Sequence, residues 1–335
     1  HLKNEVILIA NVFIDNDSDV RQLYLEAQNR LDCLQARLNR SYEGELRFTA
    51  DLASEEANFT KKDFMTAVEQ AKEYILAGDI FQAVISQRFS MAYSGDVFQV
   101  YRALRNINPS PYMFFLDFLD YQVIGSSPEP LIRAQDNELE IIPIAGTRQR
   151  GATSAEDDRL EAELLNDPKE LAEHVMLVDL ARNDLGRVAT FGTVKVNDFK
   201  TIQKYSHVMH IISQVHGHLR DGLTVVDAFK SAFPAGTVSG APKIRAMEII
   251  NELEPEKRGI YSGAIGYFNY GGNLRSCIGI RTIVAGRERL YYQSGAGIVA
   301  DSQPENEYQE TLNKCQALRQ AIEQASGGIN DFIHR

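Results

Sequence analysis

The order of apolar patterns along this chain predicts an α+β fold built on antiparallel sheets. Extended apolar runs follow one another in hairpin-like succession instead of alternating strictly with helices. Amphipathic stretches with recognisable caps separate those runs. No period of about 20–50 residues repeats, which excludes a solenoid.

Glu5-Val6-Ile7-Leu8-Ile9-Ala10-Asn11-Val12 reads as a strand within residues 1–15. A helix is expected over 17–40, where Leu23, Ala27, Leu31 and Leu34 share a stripe. Residues 41–59 are polar and read as a linker. Thr60 then caps a helix whose Phe64, Val68, Ala71 and Ile75 keep helical spacing until Gly78 stops it. Strands are expected at 81–89, 112–118, 122–126 and 139–142, interrupted by a helix at 97–107. A long helical region covers 154–184, and Asp167-Pro168 divides it in two. Strands at 187–196 and 207–219 follow, then helices at 224–232 and 241–252. Strands at 259–270, 274–285 and 289–294 precede a glycine-rich turn, Ser294-Gly295-Ala296-Gly297-Ile298. The final helix opens with Ser302, Pro304 and Glu305, a capping-box pattern with proline in the first turn.

Composition narrows the function classes. A hydrophobic share of 44% and a charged share of 24% suit a globular chain with a sizeable core, as one large domain or two ordinary ones. No apolar run is long enough to span a membrane, and no signal-peptide pattern opens the chain. The first residue is His1, so the natural start is expected upstream. Cys33, Cys277 and Cys315 are odd in number and lack metal-ligand spacing, which points to free thiols in a reducing cytoplasm. A net charge of −11 without a basic stripe argues against nucleic acid as the main partner. An anionic ligand would need a local positive site or a metal. The histidines form no close cluster, which argues against zinc. Residues 236–243, GTVSGAPK, resemble a P-loop only superficially, because the glycine spacing and the residue after lysine are wrong.

Two helical stretches carry paired carboxylates. Glu307, Glu310 and Lys314 fall at i, i+3 and i+7, on one helical face behind the glycine-rich turn. Glu170 and Glu173 form a second pair after Asp167, a natural N-cap that Glu170 would complete as a capping box. A solvated charged face explains the first stripe equally simply, and capping explains Glu170. Together the four carboxylates suit a hard cation with oxygen ligands, magnesium before anything soft. Arg281 interrupts an otherwise buried strand, so it meets a structural carboxylate or grips a substrate one. His210 lies among Val208, Met209, Ile211 and Ile212, the setting of a core histidine or of an acid–base group.

With these motifs in order, the chain resembles the chorismate-utilising enzymes, most closely the large subunits of anthranilate synthases. The resemblance runs from about residue 60 to 325. It rests on Asn108-Pro109-Ser110-Pro111-Tyr112-Met113-Phe114, Gly125-Ser126-Ser127-Pro128-Glu129 and Pro143-Ile144-Ala145-Gly146-Thr147-Arg148. Glu173-His174, Val178-Asp179-Leu180-Ala181-Arg182-Asn183-Asp184, Ser206-His207-Val208-Met209-His210, the 236–243 segment, Ile280-Arg281-Thr282 and Gly295-Ala296-Gly297 extend it. It implies a sandwich of two facing antiparallel sheets with outer helices and the active site in the cleft between them. The implied organisation is an N-terminal remnant and linker over 1–59, a catalytic domain over 60–326 and a tail over 327–335.

The resemblance also implies roles. Glu173 and Glu310 would bind Mg²⁺ directly, with Glu170 and Glu307 binding through water. Arg281 and Tyr261 would hold the pyruvyl-ether carboxylate of chorismate, helped by backbone N–H groups of Gly295, Ala296 and Gly297. Gly146, Thr147 and Thr237 would line the ring, and Lys314 would add positive charge. His210 would assist departure at C4 and the later loss of pyruvate. Asn108, Pro109, Met113, Phe114, Gly125 and Cys277 match half of a tryptophan feedback site, and the other half, a Leu-Leu-Glu-Ser segment, is missing, so weak feedback is expected.

The implied reaction turns chorismate and ammonia into anthranilate and pyruvate, with ammonia from a separate glutamine amidotransferase subunit. Ala145 stands where aminodeoxychorismate synthases carry a nucleophilic lysine. Gln82 stands where isochorismate and salicylate synthases carry a water-activating lysine. Both favour ammonia as the nucleophile. Another chorismate enzyme, or an inactive scaffold that binds the amidotransferase or ligand, are the alternatives.

Overall fold

The computed structural model describes residues 5–40, 47–205 and 208–327. The chain divides into two compact units, 1–46 and 47–335. In the first, α1 (Val20–Leu38) is capped by Asp19, whose carboxylate accepts from the N–H groups of Arg21 and Gln22. The strand expected within 1–15 does not form over the described residues 5–15. An extended segment needs a neighbouring strand to satisfy its backbone groups, and this unit supplies none among those described.

The second unit opens with β1 (Phe48–Ala57), α2 (Lys61–Leu76), β2 (Gln82–Gly95), α3 (Phe98–Ile107), β3 (Tyr112–Asp117) and β4 (Gln122–Ser127). It continues through β5 (Pro130–Gln135), β6 (Glu138–Ile141), β7 (Ile144–Gln149), α4 (Ser154–Leu165), α5 (Pro168–Gly186), β8 (Lys195–Lys204) and β9 (Val208–His218). Then come α6 (Val225–Ala232), a 3-10 turn (Gly236–Val238), β10 (Gly240–Ala241) and α7 (Lys243–Leu253). The chain closes through β11 (Ala264–Phe268), β12 (Leu274–Ile278), β13 (Thr282–Ala285), β14 (Arg289–Ile298) and α8 (Pro304–Ser326).

The strands build two antiparallel sheets, as the patterning predicts. The first runs β1-β2-β14-β13-β4-β3, with β10 beside β2. The second runs β11-β12-β5-β6-β9-β7, with β8 beside β9. Two strand pairs pass from one sheet to the other together. β4 leads into β5 across Pro128 and Glu129, and β12 leads into β13 across Gly279, Ile280 and Arg281. The ladder continues through this crossing, with Ser126 N donating to Arg281 O and Ile278 N to Glu129 O, both at 3.0 Å.

Helices cover one face of each sheet. Leu104 of α3 and Leu318 and Ile322 of α8 pack on Met91, Ile283 and Leu290 of the first sheet. Val178 and Leu185 of α5 and Ala228 of α6 pack on Ile132, Leu139 and Val215 of the second. Phe64 and Val68 of α2 join Ile85, Ala296 and Ile298.

Several expected boundaries move, each for a tertiary reason. The polar linker over 41–59 holds β1, an edge strand that pairs only with β2 and so needs little apolar surface. The larger compact unit therefore begins ahead of residue 60. Strands β5 and β7 are additional to those expected. The strand expected at 187–196 is largely irregular, with an isolated bridge from Ala189 to Leu219, and the strand proper is β8. The run 274–285 is two strands in different sheets, bent at Arg281, whose φ is +49°. The expected turn at 294–298 is the end of β14, paired with β2 from Arg289 to Ile298. The capping box at Ser302 does not form. Gln303 is the N-cap, Ser302 Oγ accepts from Val299 N at 3.0 Å, and Glu305 pairs with Lys61 at 2.6 Å.

Met91 of β2 and Leu104 of α3 are both fully buried in the core that α3 and α8 form on the first sheet. Met91→Ala or Leu104→Ala should each cost about 2–5 kcal/mol, read as a lower midpoint in urea unfolding at unchanged slope.

Candidate active site

The site lies around the sheet crossing and is assembled from both sheets, α5 and α8. On the second sheet, the register between β7 and β9 shifts between Ala145 and Arg148, leaving Gly146 and Thr147 as a bulge. Gly146 takes φ +65°, and a Cβ there would lie 2.9 Å from Leu164 Cδ1 and 3.1 Å from Glu170 Oε2. Only glycine suits that conformation beside the helix. The bulge releases the Gly146 carbonyl, which lies 2.9 Å from His210 Nδ1, and Thr147 Oγ1 is 3.1 Å from the same nitrogen. A carbonyl only accepts, so Nδ1 carries the proton and Nε2 keeps its lone pair. Burial holds His210 below its ordinary pKa, partly opposed by the Gly146 bond, and the ring is neutral near pH 7.

On α5, Asp167 caps the helix and Glu170 takes a hydrogen bond from Arg148 at 3.3 Å. Burial raises the pKa of Glu173, and the charges of Glu170 and Glu310 raise it further. On α8, burial raises Glu307 despite a bond from Ser302, and Glu310 again adds repulsion. The charges of the two carboxylate pairs therefore act on one another, chiefly through Glu310. His174 stands apart, buried and bonded through Nε2 to Ser213 Oγ at 2.7 Å. Among the described residues no group of three or more acidic, histidine or cysteine side chains is arranged as a metal site.

The stripe on α8 is only partly solvated: Glu307 is buried, while the Lys314 and Glu310 side chains are 40% and 46% exposed. Lys314 Nζ reaches Glu310 Oε1 at 2.6 Å and Gly295 O at 3.0 Å. The Lys314 carbonyl accepts from the Arg281 guanidinium. The titratable neighbours of Arg281 are Cys315 and Tyr261, neither of them a carboxylate. Gly295 lies close under Tyr261, whose hydroxyl would be 2.9 Å from an added Cβ. Gly297 lies under Gln82, with Nε2 2.5 Å from an added Cβ. These glycines keep the cleft floor open instead of turning the chain.

Strand register decides which backbone groups face the cleft. Gly297 pairs with Val84, whose N–H goes to Ser239 and whose carbonyl goes to Arg258, both away from β14. Antiparallel alternation then turns the N–H groups of Gly295 and Gly297 to the open edge beyond β13. Ala296 is the exception to the expected trio. Its N–H belongs to the ladder with β2, and its methyl is fully buried against Ile85.

Glu129 completes the arrangement, and sequence reasoning gave it no role. It sits at the crossing beside a small cavity walled by Leu131, Ile142, Leu177, Leu180 and Thr237. That apolar wall desolvates the carboxyl and pushes its pKa up to about 7, against the opposing effects of the nearby Thr237 side chain and the charge of Lys314. The signal in the sequence was a lone carboxylate after Ser126-Ser127-Pro128, between two apolar strands.

The family described as chorismate binding enzyme matches residues 5–320. The chain belongs to this family. It is 51% identical to anthranilate synthase component 1 of Cereibacter sphaeroides over 326 residues, covering 97% of this chain and 65% of that protein. Against the protein of the same name from Acetivibrio thermocellus it is 51% identical over 333 residues, covering 97% of this chain and 67% of the other. The crystal structure of anthranilate synthase component I from Streptococcus pneumoniae TIGR4 superposes with a TM-score of 0.81 at 43% identity, covering 90% of this chain and 67% of that one. The chain thus spans about two thirds of the length of these relatives.

Within this chorismate-binding fold, Glu170, Glu173, Glu307, Glu310, Lys314, Arg281, Tyr261, Thr237, Gly146, Thr147 and His210 are joined by the contacts and charge interactions above. The six positions matched to a feedback site gather nearby. Asn108 ends α3 and its carbonyl accepts from Ser126 Oγ, with Pro109 next in sequence. Met113 and Phe114 pair with Ser126 and Gly125, where a Cβ would strike the Phe114 ring. Cys277 is buried across the crossing, and its thiol meets Ser127. Ser206 and His207 lie outside the described residues.

Glu129 makes stability depend on pH in an unusual direction. Its folded pKa of about 7 lies above the ordinary 4.5, so the folded state holds the extra proton between those values. Its contribution is fully present below about pH 4.5 and is lost as pH rises through 7. Glu129→Gln should flatten the fall in urea midpoint between pH 5 and pH 8 (chosen to bracket that window); an unchanged fall would contradict the assignment.

Proposed function

We propose that this chain converts chorismate and ammonia to anthranilate and pyruvate. The observation that carries this reading is Arg281, which has no ion-paired carboxylate among the described residues, in a site that also holds two carboxylate pairs, in which burial raises the pKa of Glu173 and of Glu307. A substrate with two carboxylates, one for the arginine and one for a cation, matches that division of charge. Arg281, the Tyr261 hydroxyl and the N–H groups of Gly295 and Gly297 would hold the pyruvyl-ether carboxylate.

The residues on α5 and α8 fit Mg²⁺. Their mutual repulsion and burial are what a hard cation relieves, and magnesium commonly uses one or two carboxylates plus waters and substrate oxygens. Glu173 and Glu310 would hold it directly, with Glu170 and Glu307 through water. When bound, it supplies positive charge to the ring carboxylate of chorismate.

The chain's own groups divide the proton work. Protonated Glu129, near its pKa at neutral pH, donates to the oxygen leaving C4, with Thr237 beside it. That step was expected of His210, but a neutral ring with its Nδ1 proton committed to Gly146 has no proton at Nε2 to give. Gln82 Oε1 is buried without a partner and accepts a hydrogen bond from the ammonia attacking C2; as the C2–N bond forms and the C4–O bond breaks, the surplus ammonium proton returns the Glu129 carboxylate to its acid form. His210 Nε2 then accepts the C2 proton as the C3–O bond breaks, releasing enolpyruvate and leaving the aromatic ring. Ammonia would come from a glutamine amidotransferase subunit, a second component alongside this one. No helix among the described residues is long and apolar enough to cross a membrane, and the free thiols Cys33, Cys277 and Cys315 suit a reducing cytoplasm.

Anthranilate fluorescence should appear when the full-length chain is given chorismate, Mg²⁺ and ammonium. Pyruvate without anthranilate, or binding without turnover, would reject the reading. Glu129→Gln should lower kcat by about 10²- to 10⁴-fold. Glu310→Gln should lose more than the roughly 10- to 100-fold typical of an outer-shell metal partner.

A further inference from the structure

Tyr261 and Thr237 belong to segments that no sheet or long helix holds. Tyr261 lies in the irregular run between α7 and β11, next to Ser262 at φ +63°, and Thr237 in a single 3-10 turn. Arg258 supplies the missing restraint. Its Nε donates to Glu254 Oε2 at 2.8 Å and one terminal nitrogen to Glu254 Oε1 at 2.6 Å. That nitrogen also reaches Val84 O at 2.5 Å. The other terminal nitrogen donates to Val238 O at 2.6 Å and Ser262 Oγ at 3.0 Å. All five guanidinium N–H groups are thereby used. The Tyr261 ring also lies against the cation, 5.5 Å from Cζ to the ring centre.

Each acceptor belongs to a different wall of the cleft. Val238 follows Thr237, and Ser262 follows Tyr261. Val84 and Ser86 lie opposite Gly297 and Gly295 on β2, and Glu254 also accepts from Ser86 N and Oγ, both at 2.8 Å. The side chains of Arg258 and Glu254 are only 14% and 4% exposed, so water cannot replace these bonds. We propose that the Arg258–Glu254 pair is a positioning device, which sets Tyr261 and Thr237 against the glycine floor of β14 and so fixes where the anionic end of the substrate lies. A lysine keeps the charge but cannot reproduce a five-bond planar fork.

The kinetic arm of the test rests on the chorismate reading; the exchange arm does not. In the full-length chain with ammonium as nitrogen source, Arg258→Lys should lower kcat/KM for chorismate by about 10- to 100-fold, as misplaced binding groups do. In a Tyr261→Phe background the same change should cost under about 3-fold, because the two residues act as one unit. Equal losses in both backgrounds, or a lower Tm with unchanged kinetics, would overturn the proposal. Without substrate, amide exchange over 236–240 and 259–263 should quicken in Arg258→Lys and in the milder Glu254→Gln, while the core under α8 stays protected. Unchanged exchange there would overturn the proposal whether or not the wild-type chain turns over chorismate. A wild-type chain without turnover would retire the chorismate reading and leave exchange to decide the positioning role.

Discussion

The crossing of two paired strands from one sheet to the other is the constraint on which the rest depends. β4–β5 and β12–β13 bend together, so neither strand leaves its partner's hydrogen bonds unsatisfied on the way. A bend of this kind needs residues in uncommon conformations, and Arg281 at φ +49° occupies one. It also puts Glu129 and Arg281 on the two connecting segments, Glu129 near Thr237 and Lys314 and Arg281 near Tyr261 and Cys315. Both side chains sit where the backbone leaves the regular ladder.

Charge then decides how the cleft is furnished. Glu129, Glu170, Glu173, Glu307 and Glu310 bring more negative charge than Lys314 and Arg281 offset, which burial makes costly. The molecule responds in two ways. Glu129 takes up a proton near neutrality, while burial raises Glu173 and Glu307, with added repulsion from Glu310 on both and from Glu170 on Glu173. Lys314 joins the two regions, pairing with Glu310 and holding the Gly295 carbonyl at the cleft floor. Arg258 plays the same linking part from behind, joining Glu254 and the Val84 carbonyl of β2 to Val238 and Ser262 on irregular segments.

The sequence by itself determined the alternation of helices and strands wherever a local period or cap was strong. Thr60, Asp167-Pro168 and the Phe64–Ile75 stripe fixed their helices because capping and 3.6-residue spacing are properties of neighbouring residues. The motif order indicated the family, which the comparison with chorismate binding enzymes shows. What it did not determine depends on partners distant in the chain. β1 is a strand because β2 lies beside it, and residues 5–15 are not one for want of a described neighbour. Gly295 and Gly297 read as a turn, yet only the register with Val84 and Ser86 shows which of their N–H groups face the cleft and why Ala296 does not. Glu129 looked unremarkable until Leu131, Leu177 and Leu180 closed around it, since a pKa is set by what surrounds a group in space. Local periodicity is written along the chain, whereas register, burial and charge proximity arise only when the sheets cross.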